Sequence, residues 1–333
     1  MCTTDECGPV GVVEIGSAGS NTAFGADEKL RAIFDFDAPF LGNNYPSLSR
    51  SQQSRFKSLF VEEFLGVLKW LRDNHWLDAA LPPRPTVGPY QPQTDFHISV
   101  SDAYALSMSL VQAWSGQRGW IQFPAYRAVA GNASVAHEIT HVLFPNGNRF
   151  LAEGLAVYLQ GKVSSAPVYP NFGQPLDDLV NQFLGDKFLD DASKMLWEMD
   201  LDAFDRISTP DELGLRFGGL RGLIVGAQPG AGIPAGSSSV DPEEGKALYE
   251  VAGSLVGFLL DNPIEDSRLT KDNFRALYLT TPLRPFERNS GDPGRWSRCY
   301  EDYSFHHISM LWKRYMHDKF FPGEPVPANA ADR

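Results

Sequence analysis

His137-Glu138-Ile139-Thr140-His141 has the form H-E-x-x-H. On a helix this spacing sets both imidazoles on one face, a turn apart, with a carboxylate beside them. Neutral imidazoles suit Zn²⁺, and a third, oxygen ligand leaves one coordination position open for water. Glu138 cannot point the same way as both histidines, so its carboxylate is placed to hold that water rather than the metal. The predicted chemistry is metal-assisted hydrolysis. Seven histidines in 333 residues make a chance H-E-x-x-H rare, roughly one such chain in a hundred. The flanking residues weigh further against accident. Val135, Ala136, Ile139, Val142, Leu143 and Phe144 surround the polar residues, which predicts a buried helix. Buried polar groups need partners, at a cost of roughly 2 kcal/mol or more each if left alone. One metal ion satisfies both histidines at once.

The third ligand follows from the next element. Pro145-Asn146-Gly147-Asn148 is a turn signal that ends the first helix near Phe144. A second helix is predicted from about Phe150 through Leu151, Leu155, Tyr158 and Leu159 toward Gly161. His141 stands three residues before the break and Glu153 three after the restart. In a helical hairpin those positions face each other, so Glu153 is the predicted oxygen ligand. Its competing role is a first-turn carboxylate that complements the helix dipole. Gly154 and Ala156 are small enough for close helix approach.

These residues resemble a known group. Phe150-Leu151-Ala152-Glu153-Gly154-Leu155-Ala156-Val157-Tyr158-Leu159 is similar to the W-L-x-E-G-x-x-x-Y-L segment of gluzincin metallopeptidases, the clan with thermolysin-like and aminopeptidase-like members. There it follows H-E-x-x-H and carries the glutamate ligand. Tyr249-Glu250-Val251-Ala252-Gly253-Ser254-Leu255-Val256-Gly257-Phe258-Leu259 resembles the Y-x-x-A-G-S-F-V-x-x-L helix of peptidase-MA-like domains, often found in bacterial secreted or lipid-anchored proteins. The resemblance implies a zincin-like α+β fold: a small N-terminal mixed sheet with the active-site helix, then a mostly helical C-terminal lobe. It implies Zn²⁺ on His137, His141 and Glu153, with Glu138 as the base, and a peptide or protein substrate lying along a sheet edge by strand addition. The strand containing Trp120 to Phe123 is the edge it implies.

The pattern also departs from the group. Eleven residues separate His141 from Glu153, fewer than in the better-known gluzincins. Phe150 replaces the first Trp, and Val157 stands where thermolysin-like enzymes place an outer aspartate. No G-x-M-E-N segment, which aminopeptidases of the clan use to hold a substrate amino terminus, precedes the helix. An endopeptidase is therefore predicted over an aminopeptidase. The alternatives are a catalytically idle zincin-fold module that binds protein, and a zinc hydrolase of non-peptide amides. The intact Glu138 counts against the idle module, since a structural zinc has no use for that carboxylate.

Around this centre the chain reads as one lobed, enzyme-sized unit. Residues 1–27 form a flexible N-terminal segment, 28–163 an N-terminal lobe with the metal-binding hairpin, 164–322 a mainly helical C-terminal lobe and 323–333 a tail. Leu30–Phe36, Phe96–Val100 and Gly119–Phe123 read as strands, and Gln52–Trp76 as a helix with apolar residues at Phe56, Leu59, Phe60, Phe64, Leu65, Leu68 and Leu71. Leu81-Pro82-Pro83-Arg84-Pro85 ends that unit. Asp241-Pro242-Glu243-Glu244 starts another helix, which ends before Asn262 and has Leu248, Val251, Leu255 and Leu259 as its core stripe. Tyr249, on another face, is the candidate phenol for an oxyanion, with a buried structural tyrosine as the equal alternative. His306 and His307 are rival donors, but neighbours on a helix diverge and surface or core roles are favoured for both.

The net charge of −12 weighs against nucleic acid as a partner, since phosphate binding needs basic patches. No apolar run reaches the length of a membrane span. Cys2, Cys7 and Cys299 make no disulfide framework. No signal peptide is visible, although Cys2 would also head a mature bacterial lipoprotein. Export or lipid anchoring is thus one expectation and a cytoplasmic start the other. Asn132-Ala133-Ser134 is formally a glycosylation sequon, but its place before the metal helix favours an N-cap. The aspartates at 177, 178, 186, 190, 191, 200, 202 and 205 lack EF-hand spacing and read as a solvated surface. Gly226–Gly232 lacks the Gly-Lys-Ser/Thr ending of a phosphate loop and reads as a surface loop or flap.

Overall fold

A computed structural model describes residues 10–17, 29–36, 48–76, 95–104, 106–112, 117–144, 146, 148–164, 167–202, 242–280 and 294–326. The chain divides into two compact units, Met1–Pro145 with Leu159–Gly173, and Asn146–Tyr158 with Gln174–Arg333. The class is α+β, with one small sheet and many helices. Gly226–Gly232, Leu81–Pro85, Cys2, Cys7 and Asp205 lie outside the described residues.

The first unit is built on a five-stranded mixed sheet. Its strands are β1 (Val10–Ser17), β2 (Lys29–Asp35), β3 (Asp95–Ser101), β4 (Met108–Gln112) and β5 (Gln117–Pro124). Their order is β1-β2-β3-β5-β4. The β2/β3 and β3/β5 pairs are parallel, whereas β1/β2 and β4/β5 are antiparallel. Period-two alternation sends Ala32, Phe34, Phe96, Ile98, Val100, Ile121 and Phe123 into the core. Helix α1 (Arg50–Asp73) covers that face. It begins at a capping box, with the Gln52 amide N–H donating to Ser49 Oγ and the Ser49 N–H to Gln52 Oε1. Its Phe60 meets Phe34 at 5.3 Å between ring centroids, Phe56 meets Phe123 at 5.3 Å and Phe64 meets Phe96 at 4.9 Å. These edge-to-face pairs are the geometry aromatic quadrupoles prefer.

Two features of this sheet differ from expectation. Residues 10–17, read from composition as part of a flexible segment, form β1 and pair with β2. Gly11 and Gly16 interrupt their β-branched pattern, and ladder pairing supplies the order that propensity does not. The strand expected at the edge is internal: β5 lies between β3 and β4. The terminal strand on that side, among the described residues, is the five-residue β4. The short α2 (Ala125–Ala130) follows β5, and α3 (Val135–Leu143) packs on α1, β4 and β5. Helix α4 spans Arg149–Val163.

The second unit is helical: α5 (Leu176–Phe188), α6 (Ala192–Glu198), α7 (Pro242–Asp261), α8 (Lys271–Thr280), α9 (Gly294–Cys299) and α10 (Phe305–Phe320). The stripe foreseen on α7 is buried, with Leu248, Val251, Leu255 and Leu259 each at most 3% exposed. The small residues also act as expected. A Cβ on Gly154 would stand 2.6 Å from the Ala252 carbonyl oxygen, and one on Gly253 would stand 2.8 Å from Val157 and Leu176. Glycine at both positions lets backbones approach where any side chain would collide. No helix among the described residues is long and apolar enough to cross a membrane.

Candidate metal centre

Helix α3 carries the H-E-x-x-H residues, and each of its nine residues is buried. The apolar flanks drive this: Val135, Ala136, Ile139, Val142 and Leu143 are all at 0% exposure. His137 and His141 share a face as their spacing requires. Their Nε2 atoms are 3.1 Å apart, with ring planes at 83°. One shared proton or one metal ion satisfies that pair.

The helix is fixed at one end by α1 and at the other by Trp76, just past it. Ser134 precedes α3 but its hydroxyl donates to the Tyr169 carbonyl at 3.2 Å, so it makes no cap. Glu63 of α1 takes that part. Its Oε2 accepts the Ala136 N–H at 2.7 Å, and its Oε1 accepts the Ser164 hydroxyl at 2.5 Å. Glu63 is 1% exposed. Burial pushes its carboxyl above the ordinary range, against the opposing effect of the two hydrogen bonds. At the other end Phe144 stacks on Trp76, just past α1, at 5.4 Å.

Helix α4 starts from its own turn. The Asn148 side chain accepts the Leu151 N–H at 2.9 Å, and the Asn148 N–H donates to Asn146 Oδ1 at 2.8 Å. The Asn146 amide in turn donates to the Tyr278 carbonyl at 2.7 Å. Four residues into the helix, Glu153 is 1% exposed and forms an ion pair with Arg149 one turn earlier. That guanidinium favours the ionised carboxylate, the form a metal requires.

Among the described residues, His137, His141 and Glu153 form a buried group that could hold a metal ion, with their ligand atoms all within 4.8 Å of one another. The donor set of two imidazole nitrogens and one carboxylate oxygen suits Zn²⁺. Two nitrogens sharing a tetrahedral zinc at about 2.0–2.1 Å lie roughly 3.3 Å apart, close to the 3.1 Å between the Nε2 atoms. Glu138, 5% exposed, stands beside this group on α3 and outside it.

Tyr249 is half-buried on α7. The phenol electrically coupled to the ligand group is Tyr278 on α8, which the sequence did not single out. Complete burial raises its hydroxyl well above the usual tyrosine range, the Glu153 charge raises it further, and Arg149 opposes both. His306 pairs with Asp202 at 3.0 Å and His307 stacks on Tyr303 at 4.1 Å, the surface or core roles expected of them. Asp177 departs from a purely solvated role, accepting hydrogen bonds from Ser254, Tyr315 and Lys319.

Glu63, Ser164, Arg149 and Tyr278 were thus missed. Glu63 did leave a trace: a carboxylate on the apolar stripe of α1, between Phe60 and Val67. Arg149 stands four residues before Glu153, a pairing distance on a helix. Tyr278 has no local signature. No family model matches the chain and no curated protein matches it, so the case for its chemistry rests on these residues.

Proposed function

We propose that the chain is a zinc-dependent metallopeptidase of gluzincin type and zincin-like fold, an endopeptidase acting on peptide or protein substrates. The observation that carries this reading is the buried group His137, His141 and Glu153, with the non-ligand carboxylate Glu138 on the same helix. The three side chains would hold Zn²⁺, which supplies a Lewis acid for the scissile carbonyl and lowers the pKa of water. Glu138 accepts a proton from the attacking water and returns it to the departing amine. Burial keeps Glu138 away from bulk solvent. Arg149 pairs with the Glu153 carboxylate. Tyr249 is the candidate donor to the oxyanion.

The strand β4 supports an extended substrate. It packs on α3, and among the described residues no further strand pairs with its other side, the side where an added peptide strand would lie. The net charge of −12 favours basic or neutral peptides over acidic ones.

The test joins metal analysis to cleavage. Zinc content is measured by atomic emission, and a diverse peptide library is exposed to wild type and to Glu138→Gln. One zinc per chain, with internal cleavage that the variant loses, supports the peptidase. Zinc with no cleavage by wild type moves the protein to a binding module. A chain that takes up no metal overturns the reading at its root.

A further inference from the structure

Glu63 stands outside the H-E-x-x-H pattern and, among the described residues, outside the candidate metal group, yet its carboxylate reaches the ligand-bearing segment twice. Oε2 accepts from the Ala136 N–H, the residue immediately before His137, and Oε1 accepts from Ser164, the residue immediately after α4. The chain between those contacts, 137 to 163, contains every candidate ligand. A second contact reinforces the closure: Gly66, three residues on from Glu63, lies where an added Cβ would come within 2.4 Å of Val163. One turn of α1 therefore grips both the start and the end of the ligand segment.

We propose that Glu63 is a positioning residue for the metal site, a buried tie that sets the register of α3 and closes the 136–164 loop so that the ligand atoms converge. Ser134, at the N-cap position of α3, makes no side-chain cap of its own. A helix of nine residues is short, and its first turn is the part most prone to fray. His137 lies in that turn. Fraying would carry its imidazole away from His141, which sits a turn deeper. A buried acceptor on the Ala136 N–H suppresses this motion, and the Ser164 bond returns the chain to the same point. The role needs an acceptor for the Ala136 N–H and a hydrogen-bonding partner for the Ser164 hydroxyl on one carboxyl-shaped group; glutamine supplies an acceptor for Ala136 and a donor for Ser164, whose hydroxyl can also accept.

This inference rests on the metal reading, and the experiment separates the two. Zinc affinity is measured by competition with a chromophoric chelator for full-length wild type, Glu63→Gln, Glu63→Ala and Ser164→Ala. Visible absorption of the Co²⁺-substituted proteins reports the geometry around the ion. Removing an outer partner of a metal site weakens affinity about 10–100-fold; that loss, with altered Co²⁺ bands, is expected for Glu63→Ala. Glu63→Gln is expected to restore most of the affinity and the wild-type bands. If Glu63→Ala fails to fold, Ser164→Ala decides, since it removes one tie and leaves the Ala136 bond; weaker zinc binding with changed bands supports the proposal. Wild-type affinity and bands in the folded variants overturn the proposal while the metal site stands. A wild-type protein that binds no metal overturns both.

Discussion

Helices α3 and α4 carry the candidate ligands, and they begin in opposite ways. Helix α4 is started by its own turn: Asn148 caps Leu151, Asn146 holds Asn148, and the whole device spans a few residues. Helix α3 has a serine at the N-cap position that is turned away to Tyr169, and its first turn is satisfied by Glu63, seventy-three residues earlier. A local cap forms as soon as the helix does. A distant cap exists only after α1 and α3 have packed, so the geometry of His137 depends on tertiary structure in a way that the start of α4 does not. The apolar flanks of α3 explain why this arrangement is sustainable: packing against α1, β4 and β5 holds the helix, and the buried carboxylate then satisfies an amide that no water can reach.

The contrast is broken most severely by removing the ligands themselves. His141→Ala on one helix and Glu153→Ala on the other should each weaken zinc binding by more than about 100-fold, beyond the loss from any outer partner. Equilibrium dialysis against buffered zinc reads this out. A loss confined to the histidine variant would show that Glu153 is not a ligand and that the first-turn dipole role is its true one.

The next effect is on stability. Glu63→Leu leaves the buried Ala136 N–H without its acceptor, at about 1–3 kcal/mol for such a group, and removes the acceptor of the half-buried Ser164 hydroxyl. Asn148→Ala removes a local cap and should cost about 1 kcal/mol. Urea unfolding of the metal-free proteins measures both. If the distant cap matters more than the local one, the Glu63 variant shows the lower midpoint; equal midpoints would mean that packing alone fixes α3.

The same contrast explains what was legible in the sequence. Much that is encoded within a few residues was readable: the H-E-x-x-H face, the Asn146–Asn148 turn, the Glu153 position and the apolar stripe of α7, though the Arg149–Glu153 pair was not. The strands β2, β3 and β5 were legible from alternation. What escaped depends on partners far along the chain. Strand β1 is stabilised by pairing with β2 despite its glycines, and the internal place of β5 follows from pairing with a five-residue β4 too short to announce itself. Glu63 broke the apolar pattern of α1 visibly, but nothing local says which amide it meets. Tyr278 is brought to the electrical neighbourhood of Glu153 by the fold, and a lone tyrosine on a helix predicts no such coupling.

The smallest effect is a pH dependence that belongs to the distant cap alone. Glu63 is raised from its ordinary value near 4.5 by burial, so the folded protein holds this proton more tightly than the unfolded chain does. Between the unfolded and folded values the native state binds more protons, and stability falls as pH rises. The contribution is thus fully present below about 4.5 and is lost as pH climbs through the folded value. Glutamine carries no such proton. Relative to Glu63→Gln, the metal-free wild type should lose stability as pH rises above 4.5 and through the raised folded value, whereas Asn148→Ala should follow the wild-type slope. Urea midpoints across that range measure the difference. Parallel curves for wild type and Glu63→Gln would mean that the hydrogen bonds from Ala136 and Ser164 outweigh desolvation and keep the buried carboxylate as easily ionised as an exposed one.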